Sequence, residues 1–322
     1  MSTPRSLKMP HRVRSGTVTT ERGAFAVLEA QPGHGICERR PALLVPGYTG
    51  SKEDFLPVLE PLAAAGRTIV ALDLRGQYQS PHAADRKGYA ARELAADLLA
   101  VADMIDPDGR GAGGGGVHLV GHSMGGLIAR EAALLPAGRF LSLTLLGSGP
   151  GAIAGQRAAV LREVLSVLDP RHGRDGDDRA QLSALIAQLW REQLEPQARD
   201  DGTDERIIAF LRERTHRNCP IGIIAMARYL LTCPDRTDEL AALARPPSPS
   251  RPPRLPVMVI YGENDDAWPP VTQDRMARRL AAERACIPGA AHSPAVEAPE
   301  TTARALTTFW NAAERRRVAK SH

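Results

Sequence analysis

The sequence predicts an α/β protein: a mostly parallel central sheet covered by helices, with a helical cap inserted between two of its strands. Three observations carry this. Apolar runs of strand length recur, and each is followed by a stretch of helical periodicity. The runs are continuously apolar rather than alternating, the pattern of strands buried on both faces of a parallel sheet. Between Ser148 and Pro256 the alternation stops and only helical patterns follow.

The elements follow in chain order. Val18–Leu28 reads as a β-hairpin turning at Glu21–Gly23. Ala42–Val45 is a strand run ahead of the amphipathic stretch Glu53–Ala65, whose start Ser51-Lys-Glu-Asp54 has the form of a capping box. Thr68–Leu72 precedes Ala90–Met104, and Val117–Val120 precedes Met124–Leu135, with Leu141–Leu146 next. Helices are then expected at Ala152–Leu168, Ala180–Leu194, Asp204–Arg214 and Ile221–Leu231. Six prolines in the 12 residues Arg245–Pro256 make a stiff return linker. Val257–Tyr261 resumes the sheet, followed by a helix over Val271–Ala282, a short strand around Ala285–Ile287 and a terminal helix over Glu300–Val318. Gly111–Gly116 precedes a strand rather than a helix, the wrong order for a phosphate loop, and reads as a flexible turn.

The 322 residues therefore divide into a flexible N-terminal arm (1–14), a discontinuous core (15–147 and 256–322) and a helical cap with its linker (148–255). With 43% apolar and 24% charged residues, disorder and coiled coils are excluded, and no apolar run reaches the ~18 residues that cross a bilayer. The net charge of +4 is misleading. Residues 1–23 carry net +4 and residues 312–322 net +3, which leaves a body of net −3. Two solvated basic tails give no reason to expect nucleic acid as a partner. Cys37, Cys219, Cys233 and Cys286 have neither disulfide-scaffold nor zinc spacing, and no apolar signal-peptide segment follows the basic N-terminus, so a cytoplasmic protein is expected.

The chemistry centres on Val117-His-Leu-Val-Gly121-His-Ser123-Met-Gly125-Gly126. A serine between glycines, at the end of an apolar strand and the start of a helix, fits a strained turn that lifts its hydroxyl clear of the backbone. The helix N-terminus behind it favours developing negative charge. A serine nucleophile needs a base. His118 lies on the strand and His122 beside the serine, His11 and His322 lie in tails, and His34, His82, His172 and His216 fall in loops or the cap. His292 instead follows the last strand, on the same sheet edge as the serine turn. Past Val257–Gly262, the carboxylates Glu263, Asp265 and Asp266 compete to orient it. The position after Leu146 is empty, with no acid before Glu163.

These residues resemble the α/β-hydrolase superfamily over most of 15–147 and 256–318, in its serine esterase and lipase-like branch. Ala42-Leu-Leu-Val-Pro-Gly47-Tyr48-Thr-Gly50 is similar to its oxyanion loop, and Asp73-Leu-Arg75-Gly76-Gln-Tyr78-Gln-Ser80 to its D-x-R-G-x-G-x-S turn. Gly121–Gly126 resembles the serine elbow, and Gly262-x-x-Asp265 and Gly289-x-x-His292 the acid and base loops. The resemblance implies a Ser123–His292–Asp265 triad, with the N–H groups of Tyr48 and Met124 as the oxyanion hole. Two departures stand out: Pro46-Gly47 replaces His-Gly, and Tyr78 replaces a glycine.

The expected activity is hydrolysis of carboxylic esters of small to medium hydrophobic substrates through an acyl-enzyme, with no cofactor and no metal. Thioester, lactone and carbon–carbon bond hydrolysis and a cofactor-free perhydrolase use the same residues. A catalytically silent ligand-binding member is the alternative from another class. The expected partner is a small-molecule ester, with neither nucleic acid nor an integral membrane; oligomeric state is not encoded legibly. Trp268 beside the acid, and Met226 and Tyr229 on the apolar helix Ile221–Leu231, are the candidate substrate-pocket residues.

Overall fold

The computed structural model describes residues 2–33, 39–107, 116–136, 138–169, 179–246 and 253–318. Eight strands form one sheet: β1 (Val13–Thr20), β2 (Gly23–Ala30), β3 (Arg39–Val45), β4 (Arg67–Leu72), β5 (Val117–His122), β6 (Phe140–Leu146), β7 (Val257–Gly262) and β8 (Glu283–Ile287). Their order is β1-β2-β4-β3-β5-β6-β7-β8. The β1–β2 hairpin joins β4 antiparallel, and every other pairing is parallel. Parallel strands need crossovers, and the helices α1 (Leu56–Ala64), α2 (Ala91–Ile105), α3 (Met124–Leu134) and α10 (Pro270–Leu280) supply them, while α11 (Pro294–Glu297) and α12 (Pro299–Val318) follow the last strand. The Gly-rich turn expected over 111–116 lies outside the described residues apart from Gly116.

Alternate residues of the central strands feed two separate cores. Leu43, Val45, Leu119, Leu143, Leu145 and Val259 pack with Leu98 of α2, Ile128 of α3 and Met276 of α10. Ala42, Leu44, Ile69, Val120 and Ile260 face Leu59 of α1 and Phe309 and Trp310 of α12. This double burial is why the strand runs carry no polar alternation. The second core admits buried polar groups, His118 among them. His118 on β5 stacks on Trp310, accepts from the Ser142 hydroxyl at 2.8 Å through Nδ1 and donates from Nε2 to Glu314 at 3.1 Å.

Between β6 and β7 lie α4 (Gly155–Leu168), α5 (Arg179–Leu189), α6 (Glu195–Asp200), α7 (Glu205–Arg217), α8 (Pro220–Thr232) and α9 (Thr237–Ala244). A single π turn, Trp190–Leu194, joins α5 to α6, so the helix expected to stop at Leu194 runs on. The stretch expected as one helical unit over 148–255 divides. Helices α4 to α8 pack on one another, whereas α9, unmarked in the sequence reading, packs on α10 and α3 of the core. Arg130 of α3 is buried and holds the insertion at both ends. It donates to the Pro150 carbonyl on the way out, and to Cys233 Sγ (3.1 Å) and the Pro234 carbonyl (3.3 Å) on the way back.

One further departure from the sequence reading, and one replacement noted in it, have physical causes. The N-terminal arm is not wholly solvated: Ser2 is buried, and its carbonyl accepts from the fully buried Arg214 of α7 at 2.7 Å. Arg214 also donates to Asp54 Oδ1 (2.8 Å) and to the Ser51 hydroxyl (3.3 Å), tying α7 to the start of α1's segment. Tyr78, standing where the family has glycine, adopts φ +40°. That left-handed conformation is strained for a tyrosine. The inserted helices offset it: Asn218 Oδ1 accepts the Tyr78 N–H at 2.9 Å, and Phe210 meets the ring edge-on at 5.6 Å. Lys52, whose surroundings superficially suggest a nucleotide loop, is buried with its ammonium on Asp73 (2.9 Å) and Gln79 (2.7 Å).

Candidate active site

Ser123 sits at the tip of the β5–α3 turn with φ +55° and ψ −121°. A non-glycine residue there is strained, and strain of this kind persists only where the surroundings enforce it. They do: a side chain on Gly125 would lie 2.5 Å from the Val45 carbonyl, so the turn closes directly against the end of β3. The Ser123 N–H donates to the Leu146 carbonyl at 2.9 Å, which fixes the turn to the neighbouring strand.

His292, from the loop after β8, brings Nε2 to 2.9 Å from Ser123 Oγ. Its Nδ1 lies 3.0 Å from Asp265 Oδ1. An imidazole that donates from Nδ1 to a carboxylate leaves the Nε2 lone pair for the serine hydroxyl. Asp265 is buried, and its Oδ1 and Oδ2 also accept from the Ala267 N–H (2.9 Å) and Gln273 Nε2 (2.8 Å). Burial opposes its charge, but the hydrogen bonds from His292, Ala267 and Gln273 hold the carboxyl below the usual carboxylate range. The competing acids are engaged elsewhere. Glu263 accepts the Gly289 N–H at 3.0 Å, and Asp266 takes both arms of Arg157 at 2.9 and 2.6 Å.

His122 does not face the hydroxyl as a base. Burial, and then the neighbouring His292, push its pKa down to about 3, so it stays neutral. Its Nε2–H donates to the His292 carbonyl at 2.8 Å and fixes the loop that carries the base. The loop after β3 closes over the serine: a Cβ on Gly47 would stand 3.0 Å from Ser123 Cβ. Gln77 Nε2 holds the Gly47 carbonyl at 2.8 Å. The N–H groups of Tyr48 and Met124 donate to no backbone acceptor among the described residues.

Above Ser123 and His292 opens a cavity of about 450 Å³. One wall is α4, which contributes Arg157, Val160, Leu161, Val164 and Leu168 at helical spacing, and Ile223 and Leu230 of α8 add to it. The candidate pocket residues are elsewhere. Trp268 is buried and donates from Nε1 to the Gly151 carbonyl at 3.1 Å, holding the base of the insertion. Met226 is buried in the core, and Tyr229 turns towards Glu131 of α3 at 3.4 Å. Apolarity all round α8 identified the helix but not its inward face, and α4, with few buried residues, carried no such signal. Cys37, His34, His172 and His322 lie outside the described residues. No group of three or more metal-ligating side chains gathers among the described residues, and no helix there is long and apolar enough to cross a membrane.

Comparison with known proteins agrees with this architecture. "Putative carbamate hydrolase RutD" of Variovorax paradoxus is 35% identical over 115 residues, 36% of this chain and 40% of that protein. The chain spans only 29–40% of the lengths of the sequence relatives it matches. The enol-lactonase of Burkholderia xenovorans LB400 superposes with a TM-score of 0.63 at 16% identity, covering 92% of this chain and 100% of that one. A thermophilic esterase from Thermogutta terrifontis gives 0.61 at 22% identity, covering 93% and 99%. At such identities these two structures speak for the fold alone. Residues 42–305 match the family described as "Alpha/beta hydrolase family". The chain belongs to the alpha/beta hydrolase family.

Proposed function

We propose that the protein is a serine hydrolase that cleaves carboxylic esters of small to medium hydrophobic substrates through an acyl-enzyme. The unbroken chain from Ser123 Oγ through His292 to Asp265, opening on an apolar cavity, carries the reading. Ser123 attacks the ester carbonyl carbon while His292 Nε2 takes the hydroxyl proton. Asp265 holds the imidazole and stabilises its charged form. The N–H groups of Tyr48 and Met124 bind the oxyanion, which their position beside Ser123 supports. His292 then protonates the leaving alcohol, and a water that it deprotonates attacks the acyl-enzyme and releases the acid. Helices α4 to α8 act as the cap that selects the acyl group. The esterase and lactonase folds of the structural neighbours are consistent with this chemistry.

A fluorophosphonate probe and p-nitrophenyl esters of increasing chain length, run beside Ser123→Ala, test it. The wild type is expected to label and to show a chain-length optimum, and Ser123→Ala to do neither. Absence of labelling with equal rates for both proteins would leave a catalytically silent binding protein.

A further inference from the structure

The loop after β3 is held beside Ser123 by a residue outside it. Gln77 stands in the turn after β4, is fully buried, and donates from Nε2 to the Gly47 carbonyl at 2.8 Å. That carbonyl and the Tyr48 N–H belong to one trans peptide unit. Such a unit is planar, and its C=O and N–H point opposite ways, so whatever fixes the carbonyl also sets the direction of the N–H. The unit lies against the nucleophile, since a Cβ on Gly47 would stand 3.0 Å from Ser123 Cβ. The Tyr48 N–H itself donates to no backbone acceptor among the described residues.

The glutamine is gripped in its turn. Its N–H donates to the Leu74 carbonyl at 2.9 Å, and its carbonyl accepts the Ser80 N–H at 3.0 Å. Both its neighbours are tied to the corner between α7 and α8. The Gly76 carbonyl accepts the Cys219 N–H at 2.8 Å, and the Tyr78 N–H donates to Asn218 Oδ1 at 2.9 Å. The side chain therefore starts from a fixed backbone, and only its NH2 end can meet a carbonyl. Its Oε1 is buried without a partner, a cost that an apolar side chain of the same length would not carry. The Gly47 carbonyl also accepts the Gly50 N–H at 3.1 Å, from within its own loop, so it would not be stranded without Gln77. What the glutamine adds is a tie between this peptide and the turn after β4.

We propose that Gln77 is a positioning residue for ester hydrolysis: through the Gly47 carbonyl it aims the Tyr48 N–H at the oxygen that becomes negative when Ser123 attacks. This rests on the ester-hydrolase reading above. Gln77 is not among the residues lining the cavity, so it leaves the binding of the uncharged substrate alone. Its effect appears only when the oxygen carries charge, where a displacement of about 1 Å can cost up to ~10²-fold.

The test uses Gln77→Met, which keeps the length and removes the donor, with Gln77→Leu as a second apolar variant. Three quantities are compared with wild type: kcat/KM for p-nitrophenyl butyrate, and the Ki of an n-alkyl trifluoromethyl ketone and of the matching alcohol. In the ketone adduct Ser123 Oγ bonds to the carbonyl carbon, the C=O electron pair moves onto oxygen and the hydroxyl proton passes to His292. The adduct thus carries the oxyanion, whereas the alcohol only occupies the cavity. In both variants the ketone Ki should rise about tenfold or more and kcat/KM should fall in parallel, short of the ~10²–10³ lost with a donor removed outright. The alcohol Ki should stay within about twofold, because ground-state binding does not use the donor. Inhibition constants do not depend on how much of a preparation is folded, so a lowered Tm does not blur the comparison. Unchanged ketone Ki and kcat/KM in the variants, with the wild type active, overturn the role of Gln77 and leave the hydrolase standing. Equal rises for ketone and alcohol also overturn it, since the side chain then shapes the cavity as a whole. A wild type that neither hydrolyses the ester nor labels with fluorophosphonate overturns the hydrolase reading and the positioning role with it.

Discussion

Arg214→Met should be among the more damaging substitutions distant from the reacting atoms. The guanidinium is wholly buried and makes three hydrogen bonds, to Asp54 (2.8 Å), Ser51 (3.3 Å) and the Ser2 carbonyl (2.7 Å). Methionine fills similar space but leaves the Asp54 carboxyl buried without its counter-charge, a loss of about 3–5 kcal/mol. At ~2.1 cal/mol/K per residue, the unfolding entropy of this chain is roughly 0.7 kcal/mol/K, so Tm should fall by about 4–7 °C. The loss also depends on pH. Burial already raises the Asp54 pKa, with Arg214 opposing it, and removing Arg214 raises it further. A folded-state pKa above the unfolded value means the folded variant binds more protons, so its stability is kept at low pH and lost as pH rises through that folded pKa. Thermal unfolding at pH 5 and pH 8 should therefore show the larger deficit at pH 8. Asp54→Asn combined with Arg214→Met should recover part of it, because no charge is then stranded. A single variant within 1 °C of wild type at pH 8, or a double variant no better than the single, would refute the reasoning.

Three further outcomes are expected. Gly125→Ala places a methyl carbon against the Val45 and Pro46 carbonyls, so on the proposed ester-hydrolase reading turnover should fall at least ~10²-fold even where circular dichroism shows folded protein, since the Met124 N–H proposed to bind the oxyanion shifts with the turn. Leu161→Trp, on the cavity wall, should move the p-nitrophenyl ester optimum to shorter chains while acetate turnover persists. Burial pushes the pKa of His118 down to about 4, with Glu314 only partly countering it. The unfolded chain then binds the extra proton between about pH 6.5 and 4, so stability should fall by roughly 3 kcal/mol as pH drops through that window. A flatter Tm–pH curve for His118→Gln in urea or heat melts checks this, with His122 supplying the slope that remains.

Much of the sheet was legible because burial on both faces leaves an unmistakable mark: runs such as Ala42–Val45 and Val257–Tyr261 have no polar side to hide. The meeting of Ser123 and His292 was legible for a related reason, since a strand-to-helix turn and the loop after the last strand fall at one sheet edge. Asp265 emerged from three neighbouring acids only through family spacing, and the geometry separates it by its partners, the imidazole on one side and Gln273 on the other. Pocket residues were not legible. Periodicity tells how a helix is coloured but not how it is rotated, and α8 is apolar at its core positions Ile224 and Met226 as well as at Ile223 and Leu230, which meet the cavity. The short α9 was hidden beside a proline-rich stretch. The docking of Ser2 depends on Arg214, more than two hundred residues away, and no local pattern announces it.

The clamp made by Arg130 has a consequence for how such a protein can change. One guanidinium receives both the outgoing and the returning chain of the insertion, at Pro150 and at Cys233–Pro234. Beyond that point β6 and β7 are already zipped together, Leu143–Leu146 against Val257–Ile260. The stretch between the two prolines is thus a cassette with its splice points marked. A different cassette, of another length and with other walls, can be set into the same socket without disturbing the strand register behind it. The helical walls of the cavity and the sheet that carries Ser123 and His292 meet at a joint one side chain wide.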